Sequence, residues 1–319
     1  MTTLFIGLGK MGDPMVRRYA PAHEMLLYDV DAAASTALAA DVGGQALPSL
    51  ERLPSGIGTV ILMLPNSRIV ESVVAGLFAQ LEPGALLIDM GSSEPASTQR
   101  LAGQAAEAGL AFVDAPVSGG VAKARIGELS IMVGGLPADR ERALAHLAPL
   151  GTSITLVGPS GSGHAAKALN NLLSATNLAA AAEIFTVARS FGIDAAVMVD
   201  VVNSSTGRSQ ATEVKYAKHV LNGTFSSGFS LDLMLKDVAI AQALGTGLST
   251  PITDTTVGVL AEVRRVLGDA RATDAGLPDA VPLDHTEVAR YFELVNHVEL
   301  RSPKAESRPS FEPEGVTHV

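Results

Sequence analysis

The 319-residue sequence contains no cysteine and no tryptophan. Without cysteine the chain forms no disulfide, holds no thiolate-bound metal and has no cysteine nucleophile, which fits a reducing compartment. Lys and Arg number 23 against 33 Asp and Glu, so the formal charge of −10 gives no general attraction to nucleic acid or to an anionic membrane. No apolar run approaches the roughly 20 residues of a membrane span, and the first residues lack the features of a signal peptide. We expect a cytoplasmic protein with no nucleic-acid or membrane partner.

The first half of the chain alternates short apolar runs with alanine-rich stretches. The runs of strand character are residues 3–7, 25–29, 59–64, 85–89 and 111–115, with two later ones at 129–133 and 154–157. Runs that are apolar throughout are typical of strands buried on both faces of a parallel sheet. The alternation therefore predicts an α/β domain with a doubly wound, mainly parallel sheet over residues 1–160.

Strand signals almost vanish after residue 160. Residues 164–191 contain neither glycine nor proline, and Gly192 follows as a stop, so we expect one helix of about 28 residues and about 42 Å. Further helices are predicted over 195–203, 210–221, 230–244, 251–267 and 286–298. The second domain, 161–298, is thus predicted to be all-α. Residues 299–319 are rich in proline and charge, which predicts a flexible tail.

A glycine-rich motif stands directly after the first predicted strand and opens a helix. In such a loop the three glycines permit a tight turn, close approach of the backbone to a pyrophosphate, and close helix–strand packing. The second strand ends at Asp29, whose carboxylate suits two ribose hydroxyls and repels a 2′-phosphate, and Val30 follows in place of an arginine. The pattern favours NAD over NADP, and an unrelated glycine turn is the alternative. The residues predicted to hold the cofactor here are Gly7, Leu8, Gly9, Lys10, Met11, Gly12 and Asp29.

Two further groups of residues have the chemistry of a substrate site. In Ser118-Gly119-Gly120 the glycines let backbone N–H groups converge on a small anion and the serine adds a donor, although an ordinary turn has the same composition. Lys167, Asn170 and Asn171 share one face of the predicted long helix. They form either a solvated stripe or one side of a partly dehydrated cleft, where desolvation would lower the pKa of Lys167. In the second case Lys167 exchanges a proton with a substrate oxygen and the asparagines orient it.

These motifs together carry a resemblance to a known family. With GLGKMGDPM at 7–15, DAPVSGG at 114–120 and GSGHAAKALNN at 161–171, the sequence resembles the 3-hydroxyacid (β-hydroxyacid) dehydrogenases over about residues 2–298. The resemblance implies a Rossmann domain joined by one long helix to a helical domain for substrate binding and oligomerisation, in a homodimer or homotetramer. It also implies that a small 3-hydroxy acid and its semialdehyde or keto form are interconverted by hydride transfer, with NAD as cofactor and no metal.

The resemblance assigns roles to individual residues. Lys167 matches the catalytic lysine, Asn171 the substrate-orienting asparagine, and Ser118, Gly119 and Gly120 the substrate-carboxylate loop. It places Leu64, Pro65, Ser92, Phe229 and Lys236 near the cofactor, although an interior ion pair or plain surface charges explain Lys236 and Asp237 equally well. The chain departs from the family at Lys123 and Glu128, where many relatives have glycine and threonine. Lys123 either recognises a second anionic group or points into solvent.

Three competing functions are compatible with parts of the sequence. Oxidative decarboxylation occurs in the related 6-phosphogluconate dehydrogenases, which are longer and have a histidine where this chain has Asn170. Imine reductases are similar, but they generally lack a lysine at the position of Lys167. A non-catalytic dinucleotide-binding sensor or scaffold would not need Lys167, Ser118 and the paired asparagines. The seven histidines show no metal-ligand spacing, so no metal site is predicted.

Overall fold

The computed structural model describes residues 2–273 and 282–301. By compactness the chain divides into two units, Met1–Leu173 with Lys236–Thr253, and Ser174–Leu235 with Asp254–Val319. Residues 161–173 and 236–253 thus belong to the first unit, beyond the boundary predicted at 160. The division into a cofactor domain (1–160) and a substrate and oligomerisation domain (161–298) stays a prediction. The predicted flexible tail, 299–319, lies outside the described residues except for 299–301.

The first unit contains one nine-stranded sheet. Its strands are β1 (Thr2–Ile6), β2 (Met25–Tyr28), β3 (Gln45–Ala46), β4 (Ile57–Leu62), β5 (Leu86–Asp89), β6 (Ala111–Asp114), β7 (Val117–Ser118), β8 (Leu129–Gly134) and β9 (Gly151–Gly158). The spatial order is β3-β2-β1-β4-β5-β6-β8-β7, with β9 also paired to β8. Only β8 runs antiparallel to β6 and β7, whereas the other described pairs are parallel. The predicted mainly parallel, doubly wound sheet is therefore confirmed.

Helices follow most of the strands, and further helices come one after another in the chain after β9. They are α1 (Gly12–Tyr19), α2 (Ala32–Val42), α3 (Ser67–Leu77), α4 (Pro95–Glu107), α5 (Gly120–Ile126), α6 (Pro137–Leu147), α7 (Ser162–Ser190), α8 (Ala195–Asn203), α9 (Leu231–Leu244), α10 (Pro251–Thr273) and α11 (Val288–Asn296). Ala211–Val220 forms a π-helical segment, and short 3₁₀ turns occupy Ala20–Ala22 and His285–Glu287. Among the described residues no helix is both long and apolar enough to cross a membrane.

Both faces of the sheet are buried, as the continuous apolar runs predict. In β1, Phe5 packs into one hydrophobic cluster, whereas Leu4 and Ile6 pack into another. Successive residues of a strand point to opposite faces, so the two clusters lie on opposite sides of the sheet. Burial on both sides leaves the strand ends as the place where polar side chains can gather. Ligands bind beyond the carboxyl ends of the strands in such sheets.

The second unit is helical in the part that the structure describes. Its core includes Phe185 of α7 and Tyr216 of the π-helical segment, whose rings meet edge to face at 4.7 Å. The Tyr216 hydroxyl donates a hydrogen bond to the carbonyl oxygen of Leu178 at 3.0 Å, so this buried polar group is satisfied. Helix α7 contributes residues to both units.

Candidate active site

The glycine-rich loop between β1 and α1 has no room for side chains at two of its three glycines. Gly7 has a φ of +95°, and a Cβ atom there would overlap the carbonyl oxygen of Met63. A Cβ atom at Gly12 would overlap the carbonyl oxygen of Gly7. Gly9, in contrast, is exposed, and a Cβ atom there would have no neighbour within 4 Å. The loop is therefore closed at Gly7 and Gly12 and open at Gly9, which fits a backbone that a pyrophosphate approaches.

Asp29 is linked directly to this loop. It follows β2, and its Oδ2 accepts a hydrogen bond from the Leu8 amide at 2.6 Å. Its Oδ1 accepts another from the Asp31 amide at 3.0 Å. The next residue, Val30, is 93% exposed. Because valine is uncharged, this position places no cation beside the carboxylate. The loop and the carboxylate together fit a dinucleotide with free ribose hydroxyls. Lys10 is exposed and Met11 half-buried in the same loop.

The Ser118-Gly119-Gly120 segment requires its two glycines for conformational reasons. Ser118 ends β7, and Gly119 and Gly120 have φ values of +131° and +68° before α5 begins. Residues with a side chain rarely adopt these values. Among the described residues no hydrogen bond joins this loop to Lys167 or Asn171. Anion binding by the loop stays a prediction.

The first turn of α7 is fixed by an aspartate at the end of β6. Asp114 accepts hydrogen bonds from the amides of Gly161 at 2.9 Å and His164 at 3.0 Å. The His164 ring is buried and pairs through Nδ1 with the Thr98 hydroxyl at 2.8 Å. Because carboxylates stabilise the free amides at a helix start, Asp114 holds the turn that precedes Lys167.

A second aspartate holds the loop after the neighbouring strand. Asp89 at the end of β5 accepts hydrogen bonds from the Gly91 amide at 2.9 Å and the Ser93 hydroxyl at 2.7 Å. Its Oδ2 lies 3.7 Å from Nε2 of His164. The loop that carries Ser92 and the start of α7 are thus anchored on adjacent strand ends.

Asp237 on α9 connects several of the predicted residues. This carboxylate is buried, with 2% exposure, and it accepts hydrogen bonds from the Ser92 hydroxyl at 2.6 Å and the Asn171 amide at 2.5 Å. Nζ of Lys236 lies 3.1 Å from it and donates to the Ser92 carbonyl oxygen at 2.7 Å. Ser92, Asn171 and Lys236 therefore form one cluster within the first unit.

Lys167 lies on α7 one turn before Asn171 and is half-buried. Burial lowers the pKa of its ammonium group, and the nearby Lys236 lowers it further, whereas the carboxylate of Asp237 raises it. Asn171 is buried and hydrogen-bonded, so it does not belong to a solvated stripe. Asn170 is exposed and its amide donates to Oδ1 of Asn171 at 3.3 Å.

The other predicted residues occupy separate positions. Leu64 is half-buried and Pro65 exposed, immediately after β4. A cleft of about 440 Å³ in the first unit is lined by residues that include Asn66, Ser92 and Lys236. Phe229 lies in the second unit, where its ring meets that of His285 edge to face at 5.5 Å. No group of three or more potential metal ligands is found in the described part of the chain.

The sequence did not identify Asp237 as a site residue. Its signal is a charged pair inside the apolar run LMLKDVAIA, where a buried aspartate needs partners. In the structure Lys236 and Asp237 form an ion pair at 3.1 Å, in which the carboxylate is buried. A cofactor contact of Lys236 stays a prediction. The contacts to Ser92 and Asn171 join residues 145 and 66 positions apart, which no local pattern reveals.

Comparison with known proteins finds two family models that match successive parts of the chain. Residues 2–158 match the model of the NAD binding domain of 6-phosphogluconate dehydrogenase, and residues 161–277 match that of the NAD-binding region of NADP-dependent 3-hydroxyisobutyrate dehydrogenase. The chain is 36% identical over 252 residues to 2-(hydroxymethyl)glutarate dehydrogenase of Eubacterium barkeri. The match covers 78% of this chain and 83% of the relative. It is 35% identical over 260 residues to NAD-dependent L-serine dehydrogenase of Pseudomonas aeruginosa. That match covers 78% of this chain and 87% of the relative.

A solved structure agrees with these sequence matches. The 3-hydroxyisobutyrate dehydrogenase of Mycobacterium tuberculosis, determined with L-serine, superposes with a TM-score of 0.79 at 29% identity. The superposition covers 91% of this chain and 99% of that one.

Proposed function

The chain belongs to the 3-hydroxyacid dehydrogenase family, and on that premise we propose that it interconverts a small 3-hydroxy acid and its semialdehyde or keto form, with Lys167 as general acid and base. The predicted family, the NAD-dependent dehydrogenase class and NAD as cofactor are confirmed. The observation that carries the proposal is the buried carboxylate of Asp237, which holds Asn171 and Ser92. Burial lowers the pKa of Lys167, and the charge of Asp237 partly opposes that fall.

The chain's own residues supply proton exchange and orientation. When bound, NAD supplies the two-electron chemistry. Neutral Lys167 takes the proton of the substrate hydroxyl in oxidation, and its ammonium form returns a proton to the carbonyl oxygen in reduction. Asn171, with Asn170 beside it, holds that oxygen in line, because Asp237 fixes its amide.

The remaining residues bind the two ligands. Ser118, Gly119 and Gly120 hold the substrate carboxylate. Gly7, Leu8, Gly9, Lys10, Met11, Gly12 and Asp29 hold the adenosine and pyrophosphate, and Leu64, Pro65, Ser92 and Lys236 complete the part of the cofactor site that the first unit supplies. The open position at Gly9 and the contact of Asp29 with Leu8 support this assignment. A cofactor contact of Phe229 stays a prediction from the sequence.

The names of the relatives indicate a substrate class. 2-(Hydroxymethyl)glutarate, L-serine and 3-hydroxyisobutyrate each have a hydroxymethyl group on the carbon next to a carboxylate. We assign this chain a substrate with the same arrangement. The cytoplasmic location and the homodimeric or homotetrameric state stay predictions from the sequence.

We expect NADH formation when the purified protein is mixed with NAD and a panel of 3-hydroxy acids. The increase in absorbance of NADH measures turnover, and release of carbon dioxide distinguishes oxidative decarboxylation from simple oxidation. NAD binding without turnover of any hydroxy acid would contradict the proposal and favour a nucleotide sensor.

We expect Asp237→Asn to move the pH dependence of turnover to lower pH. The carboxylate raises the pKa of Lys167, so its removal lets that pKa fall further. Oxidation needs neutral Lys167, and its rising limb therefore begins at lower pH. Reduction needs the ammonium form, so its activity is lost at lower pH. The measurement is kcat/KM against pH in both directions.

A matched control separates this effect from the loss of a negative charge. Asp139→Asn removes a carboxylate from α6, where Asp139 pairs with Arg142 at 3.7 Å. We expect it to leave both pH limbs in place. If Asp237→Asn lowers kcat without moving either limb, its role is structural only.

A further inference from the structure

Helix α5 has two cationic side chains directly after the Ser118-Gly119-Gly120 loop. Lys123 is the fourth residue of this helix and Arg125 the sixth, and both are exposed. Neither forms an ion pair with another residue in the described part of the chain. Exposed cations elsewhere in the described residues differ in this respect: Arg17 pairs with Asp41 at 2.9 Å, whereas Lys10 forms no ion pair. The two positive charges of α5 are therefore not neutralised by carboxylates of the chain.

Lys123 is packed against the loop. A Cβ atom at Gly119 would lie 2.7 Å from Cδ and 2.9 Å from Cβ of Lys123. The lysine stem thus fills the space that a side chain at position 119 would need. Lysine stems pack along protein surface while the ammonium group stays in water. Because Nζ is only two bonds beyond Cδ, the charge lies next to the loop.

We infer that Lys123 binds a second carboxylate of the substrate, so that the site prefers 3-hydroxy dicarboxylates to monocarboxylates. The inference rests on the proposed function, in which Ser118, Gly119 and Gly120 hold the first carboxylate. A chain with a net charge of −10 repels a dianion in general, so a dicarboxylate needs a local positive charge. The unpaired ammonium group of Lys123 supplies it beside the first carboxylate site.

Arg125 provides an internal comparison. It has the same charge on the same helix, but two residues further along an α-helix the side chain points about 200° away. Arg125 therefore faces away from the side of α5 on which Lys123 meets Gly119. Removal of the Arg125 charge therefore tests whether a cation anywhere on α5 is sufficient to favour a dicarboxylate substrate.

The test compares two substrates that differ by one charge. These are 2-(hydroxymethyl)glutarate and its 5-amide, in which the distal carboxylate is replaced by a carboxamide of similar size. We expect wild type to have the higher kcat/KM for the dicarboxylate. Lys123→Met keeps most of the stem and removes the charge, and we expect it to lower the ratio of the two kcat/KM values about two- to fivefold, the range of an exposed ion pair. Arg125→Met leaves the ratio unchanged.

Other results would contradict either the inference about Lys123 alone or the proposed function as well. An unchanged ratio in Lys123→Met, or an equal fall in Arg125→Met, overturns the inference alone, since turnover itself persists. If wild type oxidises neither of these two substrates and none of the monocarboxylates of the panel, the proposed function is overturned and the inference with it. A folded Lys123→Met variant is verified by a thermal unfolding midpoint equal to that of wild type.

Discussion

Lys167→Met lowers kcat by about 10²- to 10⁴-fold, the usual contribution of a general acid or base. Methionine keeps the length and most of the volume of the side chain but exchanges no proton. The half-buried position of Lys167 makes the substitution compatible with folding, because an apolar group replaces a charge whose burial is unfavourable. Stopped-flow or steady-state formation of NADH with the best acid of the panel gives kcat.

Two further measurements make the result specific. NAD affinity, followed by quenching or calorimetry, should stay close to wild type, because the predicted cofactor loop lies in residues 7–12 and not on α7. The residual activity of Lys167→Met should also lose the pH limb attributed to the lysine. Retained turnover at the wild-type level would show that another group exchanges the proton.

We expect Gly12→Ala to weaken NAD binding and to destabilise the first unit. A Cβ atom at this position would overlap the carbonyl oxygen of Gly7, so the loop and the start of α1 must separate. Overpacking of this kind costs about 1–3 kcal/mol of unfolding free energy. We expect the dissociation constant of NAD to rise roughly tenfold or more, since about 1.4 kcal/mol of lost contact is a factor of ten.

Two other glycines separate folding from cofactor contact. Gly103 lies in α4, where an added Cβ atom meets nothing within 4 Å, so Gly103→Ala should leave the NAD affinity unchanged and raise stability by about 0.5–1 kcal/mol. Gly9→Ala also meets no protein atom. It should therefore unfold like wild type and yet bind NAD more weakly. Equal NAD affinity in Gly9→Ala would contradict the assignment of that position to the pyrophosphate.

Hydrophobic patterns gave most of the fold. The buried parallel strands are long enough to show continuous apolar character, and the helix predicted over 164–191 is observed as Ser162–Ser190. The two-residue strands β3 and β7 were not predicted, because two residues carry no periodicity. The predicted runs 3–7 and 25–29 extend one residue beyond the strands, because Gly7 lies in the loop from β1 to α1 and Asp29 in the loop from β2 to α2. A hydrogen bond from the Leu8 amide to Asp29 joins the two loops.

The site was predictable where its motifs are local. The glycine-rich loop and the spacing of Lys167 and Asn171 depend on neighbouring residues, so the sequence alone indicates them. Asp237 depends on two partners distant in sequence, and only folding shows which side chains it contacts. The anchoring of α7 by Asp114 has the same origin, because a strand end and a helix start become neighbours only in the sheet.

The carboxylate of Asp29 accepts a hydrogen bond from the Leu8 amide, and this contact limits how coenzyme preference can be redesigned. Removal of the negative charge to admit a phosphorylated ribose would also release the tip of the glycine turn. A productive replacement must therefore be a neutral acceptor of similar reach, such as asparagine, before any arginine is introduced nearby. If Asp29 binds the ribose as proposed, one side chain governs both coenzyme preference and the order of the loop, and the two have to be redesigned together.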